Sequence, residues 1–359
     1  MDKNISIIGV GKLGLCLALN LERSEYNVIG VDIYQSYIDS LNNKTFTTSE
    51  PYVEDFLNKA NNISFTTDFN QAIVNDIIFV VVKTPSTTEW KYDHTQIEEI
   101  ANKLISLGRQ DKRKDLIINC TTFPGYCETL QAKLKDYNYY VSYNPEFIAQ
   151  GSIIMDQLNC DSVLIGQADD YAGELIWNIY KTMCKSLPHL NVMSVTEAEL
   201  TKLSINCFLT TKISYANMIG DIAVRLNCDP YKVLKAVGSD SRIGEKYLKP
   251  GFGFGGPCFP RDNRALAKCA EEVNVDAVIS KATDIMNEKH LQYQLETFIK
   301  YNPDKSIPIG VPYITYKKES TLIEESQQLK FVQALKQLDY IIVIDDQREE
   351  VLNQIKNIL

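Results

Sequence analysis

The 359-residue sequence lacks any run of about 18 uninterrupted apolar residues, the least that a membrane-spanning helix needs. Its opening stretch, MDKNISIIGVGKLGL, is apolar in parts, but Gly9, Gly11, Lys12 and Gly14 interrupt it, so it reads neither as a signal segment nor as a spanning helix. There is no excess of cations. Lys and Arg number 37 against 46 Asp and Glu, and a net charge of −9 offers nothing to displace the counterions of a nucleic acid. Histidine is scarce: His94, His189 and His290 lie far apart, and the nine cysteines contain no CxxC pair, so no metal site is expected. An odd number of scattered thiols fits a reducing compartment, the cytoplasm, better than a disulfide framework. Internal repeats and low-complexity tracts are also missing.

What is present is the composition of a globular enzyme, 45% hydrophobic and 23% charged, in a chain long enough for two or three domains. Over the first 150 or so residues, short β-branched runs alternate with amphipathic stretches. Ile5–Ile8, Val28–Val31, Ile77–Val82, Leu116–Asn119 and Tyr139–Val141 read as strands, with helices over Gly14–Arg23 and Thr95–Leu107 between some of them. This alternation predicts an α/β fold built on a Rossmann-type parallel sheet. From Ser194 more than thirty residues pass without proline, opened by the capping box Ser194/Glu197, which predicts one long helix. GFGFGGPCFPRD (251–262) must be a loop, and a helical stretch follows from about Asn263 to Ile299. Ile307–Val311, Glu325–Leu338, Ile341–Ile344 and Glu350–Ile358 then read β-α-β-α, about half of a doubly wound sheet. The expected domains are a Rossmann-type unit over 1–193, a central helical unit over 194–300, and a shortened C-terminal α/β lobe over 301–359.

Two motifs carry chemistry. Gly9-Val10-Gly11-Lys12-Leu13-Gly14 is G-x-G-x-x-G between a strand and a helix, and Asp32 ends the next strand eighteen residues after Gly14. The first glycine serves the tight turn, the second admits a pyrophosphate, the third allows close helix packing, and the acid binds a ribose diol. Ile33-Tyr34-Gln35 supplies no Arg for a 2′-phosphate, so NAD is expected rather than NADP. The second motif is Cys258, held among glycines and prolines with Arg261 and Asp262 close behind. A thiolate there could trap an aldehyde for a second oxidation; a rigid loop with an incidental cysteine is the alternative. Cys16, Cys120, Cys207 and Cys269 read as small core residues.

Together these segments resemble the UDP-glucose/GDP-mannose dehydrogenase family, the nucleotide-sugar 6-dehydrogenases. GFGFGGPCFPRD is similar to the family's catalytic-cysteine motif, NPEFIAQG (144–151) to its N-P-E-F segment, and ELTKLSINCF (199–208) to its Lys/Asn helix. CTTFPG (120–125), VVKTPST (81–87) and RIGEKYLKPG (242–251) match further segments in the family's order. The resemblance implies NAD-dependent four-electron oxidation of a sugar C6 alcohol to a carboxylate through a thioester on Cys258. It also implies that Lys202 and Asn206 steady the reacting oxygen, Asp262 assists the thiol or the water, Thr122 holds a water, and Glu146 promotes hydrolysis. On the same likeness Thr84, Pro85, Ser86, Thr122, Gln150 and Arg261 join the Gly9–Gly14 turn and Asp32 around NAD. It likewise implies that Glu146, Phe147, Lys202, Asn206, Arg242, Lys249, Phe254 and Gly255 face the nucleotide sugar, with Arg242 and Lys249 on its phosphates and sugar. Read singly, Lys202 and Asn206 could be an exposed helix face, Glu146 a helix-terminal acid, Thr122 a strand end, and Arg242 and Lys249 solvated charges.

The sequence departs from the family pattern at several points. Gln150 stands where many members have a second Glu, Tyr37 where some have a basic residue, and Cys160-Asp161-Ser162 in place of P-x-R. Tyr313 replaces a glycine, residues 318–326 hold no Arg, and the remaining strands of the third domain are missing. The expected substrate is UDP-glucose, converted to UDP-glucuronate. The alternatives are a UDP-N-acetylhexosamine or GDP-mannose, a non-catalytic binder of the same ligands, or a two-electron hydroxyacid dehydrogenase. No nucleic-acid or membrane partner is expected, and a homodimer through the long helix is.

Overall fold

A computed structural model describes residues 3–148, 151–356 and 358. The chain forms two compact units, Met1–Lys202 and Leu203–Leu359. The first is a sheet with helices on both faces. In chain order its elements are β1 (Asn4–Ile8), α1 (Lys12–Arg23), β2 (Asn27–Val31), α2 (Gln35–Asn42), α3 (Val53–Lys59), β3 (Ile63–Thr66), β4 (Ile77–Val80), α4 (Thr95–Ser106), β5 (Lys114–Ile118), α5 (Tyr126–Leu134) and β6 (Tyr139–Tyr143). Then follow α6 (Ile153–Leu158), β7 (Ser162–Gly166), α7 (Asp170–Met183), β8 (His189–Met193) and the start of α8 (Val195–Arg225).

The strand order is β3-β2-β1-β4-β5-β6-β7-β8. All neighbours run parallel except β6 and β7, which meet antiparallel at Tyr143 and Gly166. The first six strands have the order of a dinucleotide-binding sheet, whose crevice lies where the order reverses, at the carboxyl ends of β1 and β4. Strands buried on both faces read as continuous apolar runs, and Ile77, Ile78, Phe79 and Val80 are all enclosed. Ile5, Ile7, Val28 and Phe79 pack on one face with α1, α2, α3, α6 and α7. On the other, Ile8, Ile78, Val80 and Ile118 pack against α4, α5 and the beginning of α8.

The five expected strands form, and α1 and α4 sit where the periodicity places them. The capping box is made: the Ser194 amide donates to the Glu197 carboxylate at 2.9 Å, and the Glu197 amide to the Ser194 hydroxyl at 3.4 Å. Strands β3, β7 and β8 are additions. The boundary between units falls inside α8.

The second unit contains the rest of α8, α9 (Pro230–Gly238), α10 (Phe259–Glu272) and α11 (Val278–Tyr301). Its last part is β9 (Ile309–Val311), α12 (Gln327–Gln337), β10 (Ile342–Ile344) and α13 (Glu349–Ile355), the expected β-α-β-α. β9 and β10 pair in parallel, and Ile314, Leu329, Val332, Val351 and Ile355 form their core. The single helical stretch expected from Asn263 is two helices. The chain turns at Val273–Ala277 without Gly or Pro, because Asn274 takes the left-handed conformation at φ 58°. Asparagine visits that region at lower cost than most side chains. No helix among the described residues is long and apolar enough to cross a membrane.

Candidate active site

In the first unit the Gly9–Gly14 turn joins β1 to α1 at the carboxyl edge of the sheet. Each glycine answers a different demand. Gly9 has φ +91°, and a Cβ there would stand 2.3 Å from the Val81 carbonyl oxygen. A Cβ on Gly14 would lie 2.0 Å from the Gly9 carbonyl oxygen, so the third glycine sets how closely α1 approaches the turn. A Cβ on Gly11 would meet nothing within 4 Å. Gly11 is also the N-cap of α1 and no side chain caps that end. Open space over uncapped first-turn amides is what a pyrophosphate requires.

Asp32, just past β2, accepts from the Val10 amide at 3.1 Å and the Ile33 amide at 2.8 Å, which fixes its carboxylate beside the turn. Tyr37 braces the same turn from outside, donating its hydroxyl to the Val10 carbonyl at 2.7 Å. The residues present therefore fit NAD. After β4, Thr84 is buried and donates to the Thr121 carbonyl at 2.7 Å, tying the turn after β4 to that after β5, while Pro85 and Ser86 are exposed. Gln150 lies outside the described residues.

Beyond β6 the unit brings together Glu146, Phe147 and Lys202, and beyond β5 it sets Thr122 against Glu199. Lys202 donates to the Glu146 carbonyl at 2.5 Å, and its ammonium stands 4.2 Å from the Phe147 ring centroid. The Glu146 carboxylate accepts from the Tyr180 hydroxyl at 3.2 Å and the Gln157 amide at 3.4 Å. Burial raises its pKa above the ordinary carboxylate value, opposed by Tyr180, Lys202, Asn119 and Gln157. Thr122 is fully buried, and its hydroxyl donates to Glu199 at 2.7 Å.

Glu199 was not among the expected site residues. From α8 it also accepts the amides of Gly125 at 2.7 Å and Cys127 at 2.9 Å, supplying a carboxylate to the amino end of α5. In sequence it is one more acid on a helix, with no local signal to set it apart.

In the second unit Cys258 is exposed at the N-cap of α10, where orphan amides favour negative charge. Asp262, one turn on, is wholly buried. It accepts from the Asn206 side chain at 2.6 Å and from Arg261 Nε at 2.9 Å. Arg261 is thus an ion-pair partner of Asp262, and Asp262 orients Asn206.

The loop before Cys258 is strapped at several points. Asn287 accepts from the Phe254 amide and donates to the Phe254 carbonyl, both at 2.9 Å. His290 bridges the Asp221 carboxylate at 2.8 Å and the Gly251 carbonyl at 2.6 Å. The loop's glycines serve close packing: a Cβ on Gly255 would lie 2.4 Å from the Glu325 carbonyl oxygen, and one on Gly256 2.7 Å from the Tyr316 ring. Phe254 is buried. Arg242 and Lys249 are exposed, and Arg242 pairs with Asp240 at 2.7 Å. Among the described residues no cluster of His, Cys, Asp and Glu could hold a metal ion.

The first unit thus has the sheet and uncapped glycine turn of a dinucleotide-binding fold, and the second presents an exposed thiol on a strapped loop. The chain matches the UDP-glucose/GDP-mannose dehydrogenase family, its NAD binding domain over residues 3–184 and its central domain over 196–289. It is 31% identical over 347 residues to the UDP-glucose 6-dehydrogenase TuaD of Bacillus subtilis, covering 94% of this chain and 74% of that one. It is 28% identical to a GDP-mannose 6-dehydrogenase of Pseudomonas syringae pv. tomato, covering 90% of this chain and 78% of the relative. The solved UDP-glucose dehydrogenase of Pyrobaculum islandicum superposes with a TM-score of 0.89 at 28% identity, over 99% of this chain and 84% of that one. The chain belongs to the UDP-glucose/GDP-mannose dehydrogenase family. It is an NAD-dependent nucleotide-sugar 6-dehydrogenase of the UDP-glucose 6-dehydrogenase type.

Proposed function

We propose that this protein oxidises UDP-glucose to UDP-glucuronate through a thioester on Cys258. The observation that carries the reading is the exposed thiol at the amino end of α10, one turn from the buried Asp262–Asn206 pair. When bound, NAD supplies a two-electron acceptor, used twice per substrate. In the first oxidation the C6 hydroxyl releases its proton to water and the carbon would give up its hydride to the bound nicotinamide, leaving an aldehyde, while Lys202 and Asn206 steady the oxygen as charge develops. The Cys258 sulfur then adds to the aldehyde carbon, giving a thiohemiacetal. Its oxidation leaves a thioester on Cys258. Glu146 takes a proton from the water that cleaves this thioester, releasing the carboxylate and restoring the thiol. Its raised pKa makes it a stronger base than an exposed glutamate. Arg242 and Lys249 attract the substrate diphosphate from the exposed surface.

The test is product stoichiometry. UDP-glucose, UDP-N-acetylglucosamine, UDP-N-acetylmannosamine and GDP-mannose are supplied separately with NAD. Two reduced nicotinamides and one uronic acid from UDP-glucose alone are expected, and another preferred sugar would overturn the substrate. Cys258→Ser should abolish acid formation, and undiminished acid from that variant refutes the nucleophile.

We also propose a homodimer through α8, supported by the exposed Ile205, Phe208, Tyr215 and Ile222 along it. Sedimentation of Phe208→Asp should show monomer where the parent shows dimer; a monomeric parent refutes this.

A further inference from the structure

Within the first unit two thiols stand within reach of each other. Cys160 follows α6 and Cys184 caps the carboxyl end of α7, with 3.4 Å between the sulfurs. Both are half-buried. Their backbones are already laid together: the Lys185 amide donates to the Leu158 carbonyl at 2.7 Å, the Ser186 hydroxyl to the Cys160 carbonyl at 3.1 Å, and the His189 amide to the Asp161 carbonyl at 3.0 Å. A disulfide needs a sulfur separation of about 2.05 Å, so closure asks for a movement of little more than an ångström. The hydrogen bond between them acts oppositely on the two thiols, and it raises the Cys184 pKa. Cys184 hydrogen-bonds Cys160, which lowers the Cys160 pKa, whereas burial raises Cys16 and Cys207 and keeps them as thiols.

We propose that Cys160 and Cys184 form a redox-closable dithiol that takes hydroperoxides as its oxidant. The Cys160 thiolate attacks the peroxide oxygen; an S–O bond forms, the O–O bond breaks, and the departing oxygen leaves as water or an alcohol. The Cys184 sulfur then attacks the sulfenic sulfur. An S–S bond forms, the S–O bond breaks, and the Cys184 proton leaves with the oxygen as water. Two thiols lose two electrons and the peroxide gains them.

The placement gives closure a consequence. Gln157, three residues before Cys160, and Tyr180, one turn before Cys184, both donate to the Glu146 carboxylate. Cys184 also gives up its own contact with the Gln157 carbonyl, at 3.6 Å, when it bonds to Cys160. Oxidation draws together the ends of the two segments that hold Glu146 and slows release of the acid. This last step rests on the role proposed above for Glu146; the disulfide itself does not.

The full-length protein is treated with hydrogen peroxide, alkylated, digested and mapped by mass spectrometry. A Cys160–Cys184 linked peptide is expected, reversed by dithiothreitol, formed equally in Cys258→Ser, and missing from Cys160→Ser and Cys184→Ser. Both thiols remaining alkylatable at a peroxide level that oxidises the exposed Cys228 overturns the proposal, as does Cys160 oxidised without linkage. In parallel, acid formation from UDP-glucose is followed before and after oxidation. A loss that dithiothreitol restores, absent from Cys160→Ser, supports the coupling to Glu146, and an equal loss in both proteins assigns it to Cys258 and overturns the coupling.

Discussion

The three glycines of the phosphate turn should fail in different ways, and the structure gives the size of each failure. In Gly9→Ala the new methyl must accept φ +91° and a contact of 2.3 Å with the backbone oxygen of Val81. The left-handed conformation costs about 1–2 kcal/mol for an L-residue, and overpacking a rigid neighbour adds about 1–3 kcal/mol. The sum, about 2–5 kcal/mol, lowers the melting temperature by about 4–20 °C for a unit of this size. Gly14→Ala has no conformational penalty but meets the Gly9 carbonyl at 2.0 Å, so it carries only the overpacking cost. Gly11→Ala meets nothing within 4 Å and keeps an extended conformation at φ −62°, ψ −168°. Its cost is at most about 1 kcal/mol, for placing alanine at an N-cap.

Ligand binding reverses the order. The methyl on Gly11 occupies the space the pyrophosphate needs, and a tenfold loss of NAD affinity corresponds to about 1.4 kcal/mol. At a concentration one hundred times the parent's dissociation constant, NAD stabilises the parent by about 2.7 kcal/mol and such a variant by about 1.4 kcal/mol. Thermal unfolding with and without NAD separates the two effects. Gly11→Ala should melt near the parent without NAD and show about half the parent's shift with it. A Gly11→Ala protein that melts as low as Gly9→Ala without ligand, or keeps the full shift, would refute the assignment of this turn.

Glu146 acts as a base only when ionised, and burial holds its proton above the ordinary value of 4.5. Acid release should therefore fall as pH drops, with an inflection above 4.5, and Glu146→Gln should remove the inflection and slow hydrolysis by about 10²–10⁴-fold. Intact-mass measurement should find the thioester accumulating on Cys258 in that variant; a parent-like pH profile would exclude Glu146 as the base. Glu199→Ala leaves the Thr122 hydroxyl and the Gly125 and Cys127 amides without their acceptor. At about 1–3 kcal/mol for each buried unsatisfied group, the buried Thr122 hydroxyl and Cys127 amide alone should cost at least about 2 kcal/mol. Glu199→Gln, which keeps one acceptor oxygen, should lose less, and denaturant unfolding that ranks the two variants equally would refute the capping role.

The features legible in the sequence are those whose constraint is local. Gly9, Gly11 and Gly14 are readable because one turn demands all three, and Ser194 with Glu197 because a capping box closes within a single helical turn. The Cys258 loop is readable as a break, since its glycines and prolines cannot continue a helix. Strand β8 was not legible: four of its five residues, His189 to Val192, are exposed, so it shows neither a buried run nor an alternation. The bend after α10 was missed because Asn274 supplies it, and the sequence there lacks the glycine or proline that usually marks one.

Residues that act across sequence distance leave no such trace, and α8 shows why. Within eight positions it carries Glu199, which caps α5, Lys202, which binds the Glu146 carbonyl, and Asn206, which is held by Asp262. Each is one helical turn from the next, and read singly they form a polar stripe no different from a solvated one; only the likeness of ELTKLSINCF to the family's helix singles out Lys202 and Asn206. Their partners lie 56 to 77 residues away, and the partner decides the role. Tyr37 follows the same logic, since only its hydroxyl's reach to Val10 separates a brace from a ribose contact. A buried polar side chain is specified by the distant group that satisfies it, so its task becomes readable only when the fold brings the two together.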